Sequence, residues 1–340
     1  MLELRFDPIK NQFVAIATRR QNRTFHPPKD FCPLCPTKPG EMQTEIPASD
    51  YDIVVFENKF PTFSRFPDKL SLGKLDSEAL HGGKLASEEE FLPYIKKESK
   101  GICEVVCYTS NHDLFLEDMP EKKISNLIKV WMDRYAELGG KNYIKYILIF
   151  ENKGKEIGVT LSHPHGQIYA FPYIPAVILE ELKSSKKYYR RNKKCLHCKI
   201  IEREIKDKSR VIIKNNSFIA FIPFYARWSY EVHIYSLRHV GSLYELKNKE
   251  VTSLAKIIKE LINRYNKLFD FRMPYVMVIH QNPTDNKNYN YYHLHFEFYP
   301  PYRTKDKLKY MAGCELGAGT FINDTLPEEK AEELRKVNCV

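Results

Sequence analysis

Short apolar bursts separated by polar turns occupy most of the chain, and in three stretches they give way to a helical period. Strand side chains alternate between two faces, whereas helical ones return to one face about every three to four residues, so the two patterns predict different elements. Leu4-Arg5-Phe6, the turn residues Asp7-Pro8-Ile9-Lys10-Asn11 and the run Phe13-Val14-Ala15-Ile16-Ala17 predict a hairpin over residues 3–18. Further strands are predicted at 53–56, 102–109, 146–150, 218–222, 232–235 and 275–279. Pro120 suits the first turn of a helix and Gly139 its end, with Ile124, Leu127, Ile128, Trp131, Tyr135 and Leu138 as the apolar stripe between them. A second helix is predicted over 178–189, running into the basic stretch 186–194, which reads as a solvated helix end. A third carries Val251, Leu254, Ile258, Leu261, Tyr265 and Leu268 on one face. The polar stretch 66–100, with Gly73, Gly82 and Gly83, predicts an irregular excursion.

The two halves repeat one order of features. Each has a C-x-x-C pair (Cys32 and Cys35; Cys195 and Cys198), then a strand followed by a histidine (His112; His239). A helix comes next, then a strand followed by an asparagine (Asn152; Asn282), then an H-x-H row (His163 and His165; His293 and His295). Asn152 precedes His163 by eleven residues, and Asn282 precedes His293 by eleven. Gln167 and Glu297 each stand two residues past their row. The expected fold is therefore α+β, two tandem units with antiparallel sheets from an internal duplication, residues 1–190 and 191–340.

A chain of 340 residues can bury two such cores, and 43% hydrophobic residues exclude a disordered chain. The formal charge of +10 suits a polyanionic ligand, either nucleic acid or a small phosphate-bearing substrate. Four of the eight cysteines lie in the two C-x-x-C pairs, which points to metal chemistry in a reducing compartment and not to a disulfide framework. The N-terminal residues lack the pattern of a secretory leader, and no apolar run reaches membrane-spanning length. A cytoplasmic protein with no membrane contact is expected.

The chemistry centres on Ser162-His163-Pro164-His165-Gly166-Gln167. In an extended segment His163, His165 and Gln167 face the same way. Cys32, Cys35, His112 and His163 form a Cys2His2 set suited to a structural zinc, since four protein ligands leave no open position. By the repeat, Cys195, Cys198, His239 and His293 form a second such set. A ligated His163 leaves His165 as the imidazole able to attack phosphorus, giving a phosphoramidate that splits one displacement into two. Gln167 can donate to a phosphoryl oxygen but cannot serve as a general acid, which suits transfer to a second substrate better than hydrolysis. Arg20 and Arg23, in a basic loop, read from sequence alone as solvated arginines, with phosphate contact as the alternative.

The H-P-H-G-Q row and Phe150-Glu151-Asn152-Lys153-Gly154 resemble the galactose-1-phosphate uridylyltransferases of the histidine-triad superfamily. The resemblance extends over Leu4-Arg5-Phe6-Asp7-Pro8-Ile9, Arg20-x-x-Arg23, Phe298-Tyr299-Pro300-Pro301 and Gly313-x-Glu315-Leu316. It implies that UDP-glucose uridylylates His165 with release of glucose 1-phosphate, and that galactose 1-phosphate then takes the uridylyl group. It implies Gln167 as stabiliser of the uridylylated state, Asn152 and Thr160 as phosphate contacts with Arg20 and Arg23 nearby, and a homodimer with sites completed across its interface. Lys309, Tyr310 and Glu315 fall in the segment that contacts the hexose. Glu181, His280, His295 and Glu297 match a further metal site that would take iron or zinc, with Glu297 standing where the family has a histidine. The second Cys2His2 set is similar to that of relatives acting as ADP-glucose phosphorylases. The second H-x-H row ends in Glu297 and not in an amide, so the second unit reads as structural. Residues 317–324 depart from forms that place a glutamine on the hexose near Phe321.

Two other functions remain compatible with these residues. An ADP-glucose or dinucleotide phosphorylase would use the same His165 and Gln167. A zinc-stabilised nucleic-acid-binding protein would use the charge, but the basic residues are scattered and the cysteine pairs lack finger spacing, so no nucleic-acid partner is expected.

Overall fold

The computed structural model describes residues 1–22, 27, 31–67 and 94–337. Its centre is a nine-stranded sheet in the order β3-β5-β7-β6-β11-β12-β10-β9-β8, with every neighbouring pair antiparallel. The first half supplies β3 (Val54–Glu57), β5 (Ile102–Cys107), β6 (Tyr146–Lys153) and β7 (His165–Phe171). The second supplies β8 (Val211–Lys214), β9 (Phe218–Phe221), β10 (Val232–Ser236), β11 (Tyr275–His280) and β12 (His295–Tyr299). The predicted hairpin is β1 (Leu2–Asp7) and β2 (Gln12–Ala17), joined by β4 (Lys96–Glu98) into a separate three-stranded sheet. The expected excursion at 66–100 falls largely outside the described residues.

The two units do not keep separate sheets. β6 pairs with β11, so both halves share one ladder. Phe150 pairs with Val278 at this seam. Gln167 faces Phe150 and Glu297 faces Val278, so the two lie at equal distances, in strands, from the seam. Val105 and His233 occupy the next step outward. The duplication is thus written into the register, as the repeat predicts. The register also corrects one correspondence. Counting two residues on from Phe150 and Val278 sets Asn152 against His280, not against Asn282. The equal eleven-residue spacings pair the wrong residues, because the second hairpin is two residues longer between matched rungs.

Alternation along the strands divides the sheet into two faces. Ile147 and Ile149 of β6 and Ile168 and Ala170 of β7 join the main core under two helices. These are α1 (Glu121–Gly139), whose buried stripe is the predicted one, and α4 (Asn248–Phe269), buried through Val251, Leu254, Ile258, Leu261 and Tyr265. The predicted Leu268 is only half-buried at its end. The intervening residues face the other side, where Tyr146 packs under α2 (Ala176–Asn192) and Val105 and Cys107 pack beneath Leu34 and Ile46 of the cysteine loop.

Cys195 and Cys198 do not form an isolated knuckle. Cys195 caps, and Cys198 lies in the first turn of, α3 (Leu196–Asp207), which the sequence reading missed beneath its charged residues. It also missed the β13–β14 hairpin (Tyr302–Thr304, Lys307–Leu308) and α5 (Pro327–Lys336), although Pro327 followed by Glu328 and Glu329 is a helix-start signal.

Candidate active site and metal centres

The first Cys2His2 set comes together from three places: the loop before β3, the end of β5 and the entry to β7. The ligand atoms of Cys32, Cys35, His112 and His163 all lie within 4.8 Å of one another. Cys35 Sγ stands 3.4 Å from His112 Nδ1 and 3.5 Å from His163 Nδ1. A tetrahedral ion with bonds of about 2.3 Å to sulfur and about 2.0 Å to nitrogen spaces those atoms about 3.5 Å apart, so the set fits a zinc-sized ion. The far ring nitrogens are also held, as metal-ligating histidines require. His163 Nε2 donates to the Thr109 carbonyl (2.8 Å), and His112 Nε2 meets Ser162 Oγ (2.9 Å). Burial lowers the pKa of His163 to about 4, so the ring is neutral and able to ligate. Burial pushes the Cys35 thiol up to about 12, with Cys32 adding to it, so a cation is what would make this pair thiolates.

His165 follows on the same strand face. Its Nδ1 lies 2.7 Å from the carbonyl oxygen of His163. A carbonyl only accepts, so Nδ1 carries the proton and Nε2 presents a lone pair. His165 and Leu161 line both of two adjoining clefts. The larger, about 540 Å³, is lined by Asn152, Lys153, Lys155, Thr160, Ser162 and Arg272 among others, a polar and cationic wall suited to phosphates. The smaller, about 110 Å³, has Leu34, Phe56, Phe60 and Val105 as apolar walls, with Asn58, Arg20 and Gln167 at its polar rim. Asn58 Nδ2 lies 3.5 Å from Gln167 Oε1, which turns the Gln167 amide nitrogen outward as a donor.

Arg20 is not a solvated surface arginine. Its guanidinium donates to Thr62 Oγ1 and Tyr169 Oη, each at 3.1 Å, and this holds it beside Gln167. Arg23 lies outside the described residues. Lys309, Tyr310 and Glu315 do not line either cleft. Lys309 is buried against Glu315 (3.4 Å), whereas Tyr310 is exposed.

Beneath the clefts lies a group the sequence reading passed over. Glu151 is buried, and burial pushes its carboxyl up to about 8, against the pull of Lys153. Its partner Tyr108 donates to it at 3.4 Å and reaches Gly166, where an added Cβ would sit 2.3 Å from the Tyr108 hydroxyl. Only a glycine fits between His165 and Gln167 for that reason.

Among the described residues two more groups could hold a metal ion, one within the second half and one that also draws Glu181 from the first. Cys198 Sγ lies 3.3 Å from His239 Nδ1 and 3.5 Å from His293 Nδ1, with His293 Nε2 donating to the Ser236 carbonyl (2.9 Å). The geometry matches that of the first set. Glu181 of α2, with the buried His280 of β11 and His295 and Glu297 of β12, forms the other group. His280 Nδ1 is 3.0 Å from Glu181, and His295 Nε2 is 3.5 Å from Glu297. Burial opposes charge here, but Glu181 and Glu297 outweigh it and raise His280 to about 9. Two carboxylates and two imidazoles suit a borderline or hard divalent ion. His233 joins this cluster at 3.4 Å from Glu297 and was also missed by the sequence reading. Sheet register was the signal, since it sets His295, Glu297, His280 and His233 where the first half has His165, Gln167, Asn152 and Val105.

The chain is similar to known proteins over nearly its whole length. The sequence profile of the galactose-1-phosphate uridyl transferase N-terminal domain matches residues 3–175, and that of the C-terminal domain matches residues 181–340. A galactose-1-phosphate uridylyltransferase of Thermotoga maritima is 40% identical over 337 residues, spanning 99% of this chain and 98% of the relative. Another from Streptomyces lividans is 33% identical, spanning 98% and 87%. Among solved structures, a uridylyltransferase superposes with a TM-score of 0.83 at 34% identity, covering 98% of each chain. An ADP-glucose phosphorylase of Arabidopsis thaliana, solved with bound ADP-glucose, gives 0.71 at 25% identity, covering 99% of this chain and all of that one. With both domain profiles matched in order along its length, the chain belongs to the galactose-1-phosphate uridyl transferase family.

Proposed function

We infer that this enzyme moves UMP from UDP-glucose to galactose 1-phosphate through a uridylylated His165. The observation that carries the chemistry is the 2.7 Å bond from His165 Nδ1 to the His163 carbonyl, which leaves Nε2 as the nucleophile at the junction of the two clefts. In the first step Nε2 attacks the α-phosphorus, an N–P bond forms, the P–O bond breaks, and glucose 1-phosphate departs. In the second, a phosphate oxygen of galactose 1-phosphate attacks the same phosphorus and His165 is restored. Leaving and entering groups are both phosphate esters, so neither needs a proton from the protein. An amide at Gln167 is then sufficient, donating to a non-bridging oxygen. The carbonyl at Nδ1 supports the positive ring formed in the intermediate.

The other roles follow from position. Asn152 and Thr160 face the phosphates in the larger cleft, with Arg20 at the rim of the smaller one, and Arg23 keeps the phosphate role that the resemblance implies. The smaller cleft, with its apolar walls and Asn58 at the rim, takes the uracil. Lys309, Tyr310 and Glu315 contact the hexose in the cleft of a second subunit, which accounts for their distance from the clefts of their own. Zinc occupies Cys32, Cys35, His112 and His163, pinning the segment that aims His165, and a second zinc occupies Cys195, Cys198, His239 and His293. Glu181, His280, His295 and Glu297 hold iron or zinc. Residues 1–190 form the catalytic unit and 191–340 the unit that completes it, in a cytoplasmic homodimer. Among the described residues no helix is long and apolar enough to cross a membrane.

Intact-protein mass after mixing with UDP-glucose, or with ADP-glucose in parallel, tests the reading. A gain of one uridylyl group from UDP-glucose alone, absent in His165→Ala and discharged by galactose 1-phosphate, is expected. An adenylyl adduct discharged by inorganic phosphate would replace it with the phosphorylase reading.

A further inference from the structure

One carboxylate outside every group described so far joins two parts of the second half. Glu231 precedes β10 and is 2% exposed. One of its oxygens, Oε2, accepts from the backbone N–H groups of Arg227 (2.6 Å) and Trp228 (3.2 Å). The other, Oε1, accepts from His233 Nε2 at 2.8 Å, and His233 in turn lies 3.4 Å from Glu297. A buried carboxylate is costly unless its oxygens are engaged, and here the partners are a loop and the His/Glu cluster. The loop, residues 223–231, carries the segment to which Lys309 and Glu315 belong. Asn323 Nδ2 donates to the Ala226 carbonyl (2.9 Å). The Arg227 guanidinium lies 4.9 Å over the Phe321 ring, and Lys309 Nζ lies 5.8 Å over the Trp228 ring. Lys309 also donates to the Ile322 carbonyl, closing the segment on itself.

We propose that Glu231 is a positioning residue for the hexose phosphate. It fixes the 223–231 loop against the buried cluster, and the loop fixes Lys309 and Glu315 at the height the sugar requires. The proposal rests on the reading that Lys309 and Glu315 contact the hexose. Glu231 lines neither cleft beside His165, so any effect of its loss reaches the substrate through this loop.

The test is a cycle of steady-state measurements on the metal-replete enzyme: Glu231→Ala, Lys309→Ala, the double variant and Glu231→Gln. Glu231→Ala is expected to raise KM for galactose 1-phosphate by about tenfold with kcat within about threefold, as for lost ground-state positioning. Glu231→Gln, whose amide oxygen still accepts the two loop N–H groups, should recover most of that loss. The double variant should be no worse than Lys309→Ala alone, since both remove one device. Asn323→Ala, which cuts the tie between loop and segment without touching the buried carboxylate, should raise the same KM and stands in if Glu231→Ala does not fold. A rise with Lys309→Ala but none with Glu231→Ala or Asn323→Ala overturns the positioning role alone, as do multiplying effects in the double variant. No change with Lys309→Ala overturns the hexose reading, and this proposal with it.

Discussion

At the scale of single residues, the place of His165, the proposed nucleophile, is set by what lies behind it. Gly166 leaves its α-carbon bare so that the Tyr108 hydroxyl can press against the backbone between His165 and Gln167. Gly166→Ala places a Cβ 2.3 Å from that hydroxyl and 3.1 Å from the Phe150 carbonyl. It should cost about 1–3 kcal/mol in denaturant unfolding, the usual range for overpacking. Adding Tyr108→Phe should restore part of both stability and uridylylation rate; no restoration would mean that the hydroxyl is not the obstacle. Burial also makes Glu151 a carboxyl that holds its proton. Lys153, Glu117, Tyr108 and Tyr275 face it, and burial dominates. The folded protein keeps its proton to about pH 8, whereas the unfolded chain loses it near the ordinary value of 4.5. A raised carboxyl pKa supports the fold below the lower value, and that support is lost as pH rises through the upper one. Glu151→Gln should therefore match wild type near pH 5 and exceed it at pH 9 by on the order of a few kcal/mol. Equal pH dependence of the melting temperature in both proteins would remove Glu151 from the account.

At the scale of elements, β7 is a strand whose two ends do different work. Its entry is fastened at His163, and its interior alternates between the helical core and the clefts. Loosening the fastening should release the aim of His165. Cys32→Ser with Cys35→Ser should lose one metal ion per chain by elemental analysis and slow uridylylation about tenfold or more, since the geometry of attack is steep. Cys198→Ser should lose a metal ion with little change in that half-reaction. Equal slowing in the two would deny the first site its special role. The sequence made α1 legible because Pro120, the stripe and Gly139 agree, and it made the H-x-H rows legible because residue type and spacing coincide. It hid α3, because C-x-x-C reads as a turn when Leu196, Ile200 and Ile201 are spread among charges. It hid His233 as well. A histidine flanked by Val232 and Ile234 looks like any strand residue until the ladder sets it opposite Glu297. The Asn152–Asn282 equivalence failed for the same reason, since spacing counts residues and a hairpin counts rungs.

At the scale of the whole molecule, Lys309, Tyr310 and Glu315 line neither cleft beside His165, as the proposal of sites shared between two subunits requires. Mixing His165→Ala with Lys309→Ala, each impaired alone, should restore activity once subunits exchange, because one cleft of a mixed dimer then carries neither change. Failure to complement, with exchange verified by tagged subunits, would return the segment to its own chain. The seam of β6 and β11 has a further result. Five residue pairs, from Tyr275–Lys153 to Ile279–Ile149, stitch the halves together in the middle of the sheet. A hinge needs a few residues that can swing, and a continuous ladder supplies none. Small-angle scattering should show no contraction when UDP-glucose saturates His165→Ala. Across this seam the enzyme then works as a rigid bench, on which the two substrates come and go in turn without one half swinging against the other.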